Sequence, residues 1–500
     1  MPIRHDATTA TLASRPGSIP RMRRVAAAAL VCLALPAAAQ AKSSFVIKGA
    51  GYGHGIGLSQ YGADGYALHG FDYQTIVGHY YQGTGLATVA PAPTIRVLLQ
   101  SASAPSFTGA TDASGRTLDP AKTYSVVRAG GNSVTLRSPA GRKLATYDGT
   151  LRVTGDDPLR LNGLAGNGVR SGRYRGALEF RAGLFSGVSA INAIGLEDYV
   201  RGVVSAESPA SWPAAALDAQ AVVARSYAIT TDAGSSTDGF TAYPDTRSQM
   251  YRGMAAEFAS TDSAVRDTRG QVVTYGGKPV VTYFFSTSGG KTENVENSFV
   301  GALPRPWLRG VDDPFDSVSP RHRWGPYRMT LAQAGAKLRG LVKGHFRSIK
   351  VLQRGFSPRV VHAQIVGTGG RTDVTGADLR RRFGLFDSWA YYTTITSKKQ
   401  QTTTPATPPA DGSGQGDPAT GGTAPTAPAG SARAARTVLS GTITPAKRGA
   451  WLRVQRKIGG KWFTYAWTTT GPRGSYRVRL GGPGTYRVLF QGNPGPEIQA

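Results

Sequence analysis

The sequence predicts an α+β protein, and three observations predict it. Residues 94–192 break into short alternating runs (94–99, 124–128, 133–137, 151–154, 177–181, 188–194) separated by Gly, Asn, Asp and Pro, the pattern of strands joined by turns. Residues 196–231 read as a short helix, a tight turn and a longer helix, with Leu217, Ala221, Ala224 and Ala228 recurring at helical spacing. Residues 437–500 return to alternation (439–443, 451–456, 462–467, 476–480, 486–490), which predicts a small all-β, sandwich-like domain.

The elements follow in order. In residues 1–41, Arg21, Arg23 and Arg24 precede the apolar run 25–36 and then Ala39-Gln40-Ala41. That order predicts a signal peptide cleaved after Ala41, too short to remain as a transmembrane anchor. The one cysteine, Cys32, lies inside the apolar run, so the mature chain has no disulfide, no thiol nucleophile and no Cys-ligated metal site. The chain carries a formal charge of +28; residues 1–41 hold five Arg and one Asp, so +24 remains on the rest. Such an excess implies a polyanionic neighbour. Export and the lack of any recognition motif argue against nucleic acid and for an anionic wall surface.

Residues 49–62 hold six glycines in fourteen positions, which excludes a stable helix and predicts a sharply bent, close-approach loop. No Gly-Lys-Ser/Thr follows, so a nucleotide loop is unsupported. His54, Ser59 and Gln60 offer hydrogen-bonding groups there; a tight structural loop with a satisfied histidine is the competing reading. His54, His69 and His79 lack the i, i+4 spacing of a metal pair, and no metal or other cofactor is expected. Residues 63–85 read as a helix and its end, burying Tyr66, Ile76, Val77, Tyr80 and Tyr81. The 94–192 stretch carries no chemistry and reads as scaffold.

In the central pair, Glu207 falls where the first helix gives out, because Ser208 precedes Pro209 and is pushed out of helical geometry. Ser211 is the expected N-cap of the second helix, with Pro213 in its first turn. Gln220 and Tyr227 lie beside the small-residue stripe. A lone acid in a turn, backed by a helix that presents polar groups, can serve as a general acid/base, though an ordinary exposed Glu at a helix end explains it equally well. Further on, 255–268 reads as a helix, and 272–275 with 279–285 as a hairpin around Gly276-Gly277. Residues 286–294 form a loop of small hydroxyl residues and glycines that includes Ser286, Ser288 and Lys291. Asp312, Asp313 and Asp316 lie in a Pro-rich loop that lacks EF-hand spacing. Residues 332–341 and 376–383 read as helices, 346–354 and 360–367 as strands, and the Thr/Pro/Ala/Gly-rich 397–436 as a disordered linker. In the last domain the Arg, Lys and Trp content would suit an anionic glycan surface; the favoured expectation places the Trp side chains in the core, with the Arg solvated.

Three stretches together resemble the stage II sporulation protein D (SpoIID) family, which includes the amidase-enhancer LytB proteins. They are Leu196–Tyr227 with Ser208 where the family has Met, Ser286–Glu293 with Thr287 in the middle, and Gly53–Ala63 with its Gly-His-Gly. The likeness spans 46–396, so 42–396 is expected to be one SpoIID/LytB-like domain with a β-rich insert at 94–192. The resemblance implies a secreted, wall-associated lytic transglycosylase that cuts peptidoglycan glycan strands to 1,6-anhydromuramoyl ends. Glu207 carries over as the acid/base, and His54, Ser59, Gln60, Gln220, Arg225, Ser286, Ser288 and Lys291 are the candidate groove residues. It also leaves open a non-catalytic protein that binds the wall and positions an amidase. In the sporulation protein the Gly-His-Gly motif follows the Ser-Ser-Gly-Gly motif, whereas here it comes first, as in a circular permutation. The cysteine ligands of the zinc found in some members are absent.

Overall fold

A computed structural model describes residues 41–90, 92–183, 186–234, 237–402 and 436–500. The predicted signal peptide and most of the predicted linker therefore lie outside the described residues. Helices and strands are mixed throughout, in several small sheets. Among the described residues no helix is long and apolar enough to cross a membrane.

One sheet ties the two ends of the central region together. Strand Lys42–Ala50 lies between Arg323–Met329 and Ala390–Thr402, antiparallel to both, with Phe45 opposite Thr394. Phe45 and Ile47 point into a core with Phe346, Ile349, Phe383 and Tyr392. The same sheet continues outward: Arg436–Thr444 pairs with Ala390–Thr402 from Thr394↔Thr444 to Thr402↔Arg436, and Ser475–Arg479 follows. Residues 397–402, expected to open the linker, are thus strand.

The 94–192 region forms two six-stranded sheets. Along Thr94–Ala102 the buried residues alternate as Ile95, Val97 and Leu99, and with Phe107, Val126, Val134, Leu151 and Phe180 they make one core. Two helices close that core, α3 (Leu196–Glu207) and α4 (Ala214–Thr230) in the chain's numbering, preceded by α1 (Gln60–Leu68) and α2 (Tyr73–Tyr80). Leu217, Ala221 and Ala224 of α4 face the sheets, whereas Ala219, Val222 and Val223 face a second core built from Ile56, Leu58, Ile76, Val77 and Tyr81. Small side chains on both faces let α4 run between two cores as a shared wall, since interiors tolerate neither voids nor overlap.

Local geometry departs from expectation in three places. The 63–85 helix is two helices, broken at Gly70 (φ +84°) and restarted by Asp72, whose carboxylate accepts the Thr75 N–H at 2.7 Å. Ser211 is not the N-cap of α4. Residues 209–212 make a turn in which the Trp212 N–H donates to the Pro209 carbonyl, and Pro213 takes the N-cap position with extended ψ of 147°. The 272–285 hairpin is short: Thr274 and Tyr275 pair with Pro279 and Lys278, and then the chain leaves so that Phe284 and Phe285 pair in parallel with Leu58 and Ser59.

That parallel pair docks the glycine-rich loop, and it needs glycine to do so. Gly57 has φ +74°, and a Cβ there would sit 2.0 Å from the Tyr283 carbonyl oxygen; at Gly55 (φ +87°) it would sit 2.5 Å from Arg359 Nε. Replacing Gly57 with Ala combines left-handed strain with a backbone overlap, which together cost about 3 kcal/mol. Urea denaturation of Gly57→Ala is expected to show a loss of that size, and an unchanged midpoint would mean the loop yields.

Candidate functional site

Glu207 is the last residue of α3, and its side chain is half-buried. Its Oε1 accepts the Met250 backbone N–H at 2.6 Å. Gln60, the first residue of α1, donates from Nε2 to the Glu207 backbone carbonyl (3.1 Å) and to Gln220 Oε1 (3.3 Å). Ser208 Oγ donates to the same Gln220 oxygen at 3.4 Å. The acid is therefore fixed by three separate parts of the chain: the end of the glycine-rich loop, α4, and the 241–252 segment. Gln220 Nε2 is buried with no acceptor among the described residues.

Burial holds the Glu207 carboxyl above the ordinary glutamate range. The Met250 N–H, the Gln60 amide and the Arg252 charge pull the other way and do not cancel it. Glu207 in turn helps push the Tyr227 hydroxyl, itself half-buried, up to about 12, after burial and Tyr283. Beside the acid's turn, Trp212 and Tyr61 meet edge to face with ring centroids 5.1 Å apart, and Tyr61 N–H donates to the Ser286 carbonyl at 3.0 Å. Both rings are half-buried, and through Tyr61 the Ser286 strand end joins the segment that carries Gln60.

Of the other sequence candidates, Gln60 and Gln220 contact the acid's surroundings directly, and Ser286 lies next to them. The rest serve the fold. Arg225 is corrected from groove residue to buried strut. It is fully buried, with a bidentate pair to Glu197 (2.9 Å and 2.9 Å), and it also donates to the carbonyls of Gln271, Val265 and Ala221. Five donors meet five acceptors, which leaves none for a substrate. His54 is packed among Tyr283, Phe285 and Phe299, and its Nδ1 accepts the Ile56 N–H at 3.0 Å. Burial, with help from Arg380 and Arg359, drops its pKa to about 3, so it stays neutral.

Ser59 caps α1 through the Gly62 N–H and donates to Asp316 Oδ1 at 3.1 Å. Ser288 is buried: its N–H donates to Ser59 Oγ and Asp316 Oδ1, and its Oγ accepts the Gly290 N–H. Lys291 pairs with Asp312 near the surface. Asp316 was missed as a structural acid; its second oxygen takes the Gly289 N–H (2.9 Å) and His322 Nδ1 (2.9 Å). Glu293 was missed likewise. It is fully buried and accepts from Asn294 N, Asn297 Nδ2, Phe356 N, Ser357 N and Ser357 Oγ. The 286–294 loop is thus a junction that clamps the glycine-rich loop, and its Ser286 end joins Tyr61. Gln249 was also missed; it accepts the Tyr199 hydroxyl (3.0 Å) and donates to the Ala224 carbonyl, which anchors the segment that supplies Met250.

Residues 185–275 match the family model of the stage II sporulation protein SpoIID. This region belongs to the SpoIID/LytB family. The chain is 31% identical over 211 residues to stage II sporulation protein D of Bacillus subtilis (strain 168), an alignment covering 39% of this chain and 60% of the relative. The corresponding Bacillus amyloliquefaciens protein is 30% identical over 212 residues, covering 39% and 59%. The amidase enhancer of B. subtilis is 36% identical over 106 residues, covering 21% of this chain and 14% of that protein. The chain thus spans less than two thirds of the sporulation proteins it matches. The SpoIID match contains Glu207, Ser208, Gln220, Gln249 and Met250, whereas Gln60 and Ser286 reach the site from outside it.

Two measurements check this description. Arg225→Met leaves Glu197 without its partner and is expected to cost about 3–5 kcal/mol in urea denaturation. A smaller loss would mean that the pair is not an obligate strut. Asp313 is fully buried, accepts the Tyr80 hydroxyl at 3.0 Å, and is pushed up to about 7 by burial and by neighbouring Asp316. Its folded-state pKa lies above the unfolded value, so its contribution is fully present below about pH 4 and is lost as pH rises towards 7. The stability difference between wild type and Asp313→Asn is expected to change over that window; a flat difference would show that Asp313 does not titrate there.

Proposed function

We propose that the chain is a lytic transglycosylase acting on the glycan strands of peptidoglycan, with Glu207 as its single acid/base. The observation that carries this is the state of Glu207: a half-buried carboxyl held above the ordinary glutamate range and fixed by the Met250 N–H. Among the described residues the groups that shift it are one N–H, one amide and one arginine, with no second carboxylate. A hydrolase of the usual kind needs two. One acid suffices when the substrate supplies its own nucleophile. The protonated Glu207 gives its proton to the glycosidic oxygen between N-acetylmuramic acid and N-acetylglucosamine as that bond breaks. The carboxylate then takes the proton of the muramoyl 6-hydroxyl, whose oxygen closes on the anomeric carbon to form a 1,6-anhydro end. No water is consumed, and the acid is restored.

Family membership supports the same reading, since the acid's position in the motif is the family's. Gln60, Gln220 and the Tyr61–Trp212 pair would position the sugar. The cationic excess of the chain fits a wall-associated, exported protein that meets anionic polymers. A second reading keeps the wall but not the turnover: a protein that positions an amidase. It rests on the likeness to the amidase enhancer.

Mass spectrometry of products from peptidoglycan, intact and stripped of stem peptides, decides between them. Anhydromuramoyl ends that vanish in Glu207→Gln are expected, a loss on the order of a thousandfold. Activity is expected to fall as pH rises through the Glu207 pKa, above the ordinary value of about 4.3, because the first step needs the protonated acid. Reducing ends would point to hydrolysis. No product, with retained wall binding, would leave the amidase-positioning role.

A further inference from the structure

The C-terminal strands were expected to bury their tryptophans. Trp451 and Trp467 are instead 68% and 59% exposed. Strand Trp451–Ile458 runs between Lys461–Thr469 and Thr485–Phe490, antiparallel to both. Its inward side is ordinary core: Leu452 and Val454 pack with Tyr486 and Val488. The other side is organised by register. Trp451 lies opposite Thr469, Arg453 opposite Trp467, Gln455 opposite Thr464 and Lys457 opposite Trp462. Residues directly opposite share a face. The next strand adds Arg487 opposite Gln455, with its Nε donating to Gln455 Oε1 at 2.9 Å.

This face alternates flat rings with cations. The Arg487 guanidinium lies 3.9 Å from the Trp462 ring centroid, Lys457 Nζ 5.5 Å from it, and the Arg453 guanidinium 5.9 Å from that of Trp467. Cations seated over indoles are held in place while their outer N–H groups stay free. Among the described residues the acid paired with these cations is Glu497, 3.7 Å from Lys457. Trp451 and Trp467 are left uncovered, perpendicular at 81° with centroids 6.5 Å apart. From Trp451 to Lys457 the face is about 20 Å long.

We propose that this face binds a carboxylate-bearing polysaccharide. The apolar faces of pyranose rings lie on Trp451 and Trp467, the carboxylates pair with the forks of Arg453 and Arg487, and the exposed Thr464 and Thr469 serve the hydroxyls, while the buried Gln455 holds Arg487 in place. A run of stacked nucleobases calls for parallel platforms, which these perpendicular indoles do not offer. A protein partner would be expected to meet a continuous apolar centre, whereas here the rings of Trp462 and Trp467 each neighbour a cation. The site is distinct from Glu207 and requires no turnover there.

The test uses the full chain carrying Glu207→Gln, so that a binding result does not depend on catalysis. Affinity electrophoresis in gels containing polygalacturonate, a carboxylated polysaccharide, is compared with gels containing neutral dextran and with shifts by single-stranded DNA. Retardation by polygalacturonate is expected, with little by dextran. It is expected to weaken roughly tenfold or more in Trp451→Ala/Trp467→Ala, whose side chains are exposed and whose melting should be unchanged. Arg453→Gln/Arg487→Gln is expected to weaken it and flatten its salt dependence. Phe463→Ala, an exposed aromatic paired with Arg456 on the opposite side, is expected to change nothing. The proposal is overturned by retention equal in dextran, by retention unchanged in the Trp variant, by tighter binding to DNA, or by a sedimenting dimer that the Trp variant abolishes.

Discussion

The burial of α4 on both faces is the constraint on which the rest depends. A helix that separates two cores cannot shift towards one without opening a void in the other, and voids in close-packed interiors are costly. Ala219, Ala221, Val222, Val223 and Ala224 leave no slack on either side. Gln220, in the same run, is thereby fixed, and with it the pair of hydrogen bonds that reach Gln60 and Ser208. The Arg225–Glu197 pair then locks α4 to the start of α3, so that the end of α3, where Glu207 sits, has a defined position. The rigidity of the acid is bought by residues that never face the solvent.

Much of this was legible in the sequence. Strands such as Thr94–Ala102 and Leu151–Thr154 alternate cleanly because one side is more open to solvent, and period two survives in the amino-acid pattern. Glu207 was legible because Ser208-Pro209 marks the helix end and because the surrounding motif is a family signature. The small-residue stripe on α4 identified a packing face, but not that the opposite face is buried too; one stripe cannot reveal a second core on the far side.

What stayed hidden was division of labour among polar residues. Arg225 and Gln220 lie five positions apart on one helix, and composition gives no reason for one to be a strut and the other a neighbour of the acid. The difference is made by Glu197, Val265 and Gln271, which arrive from elsewhere. Ser59 and Ser288 look like ligand-binding hydroxyls until Asp316, from a loop about 30 residues beyond Ser288, claims both. The exposed C-terminal tryptophans were misread for a related reason: alternation tells which residues share a face, not which face is covered.

The pairing of Lys42–Ala50 with Ala390–Thr402 has a consequence for how this architecture can change over time. Two neighbouring strands at the ends of a region can be joined, and the chain opened elsewhere, without moving any side chain in the interior. The glycine-rich segment is held by Phe284, Phe285 and Arg359, not by its place in the reading order. The order in which the segment is read along the chain can therefore differ from the order in which it is held in space.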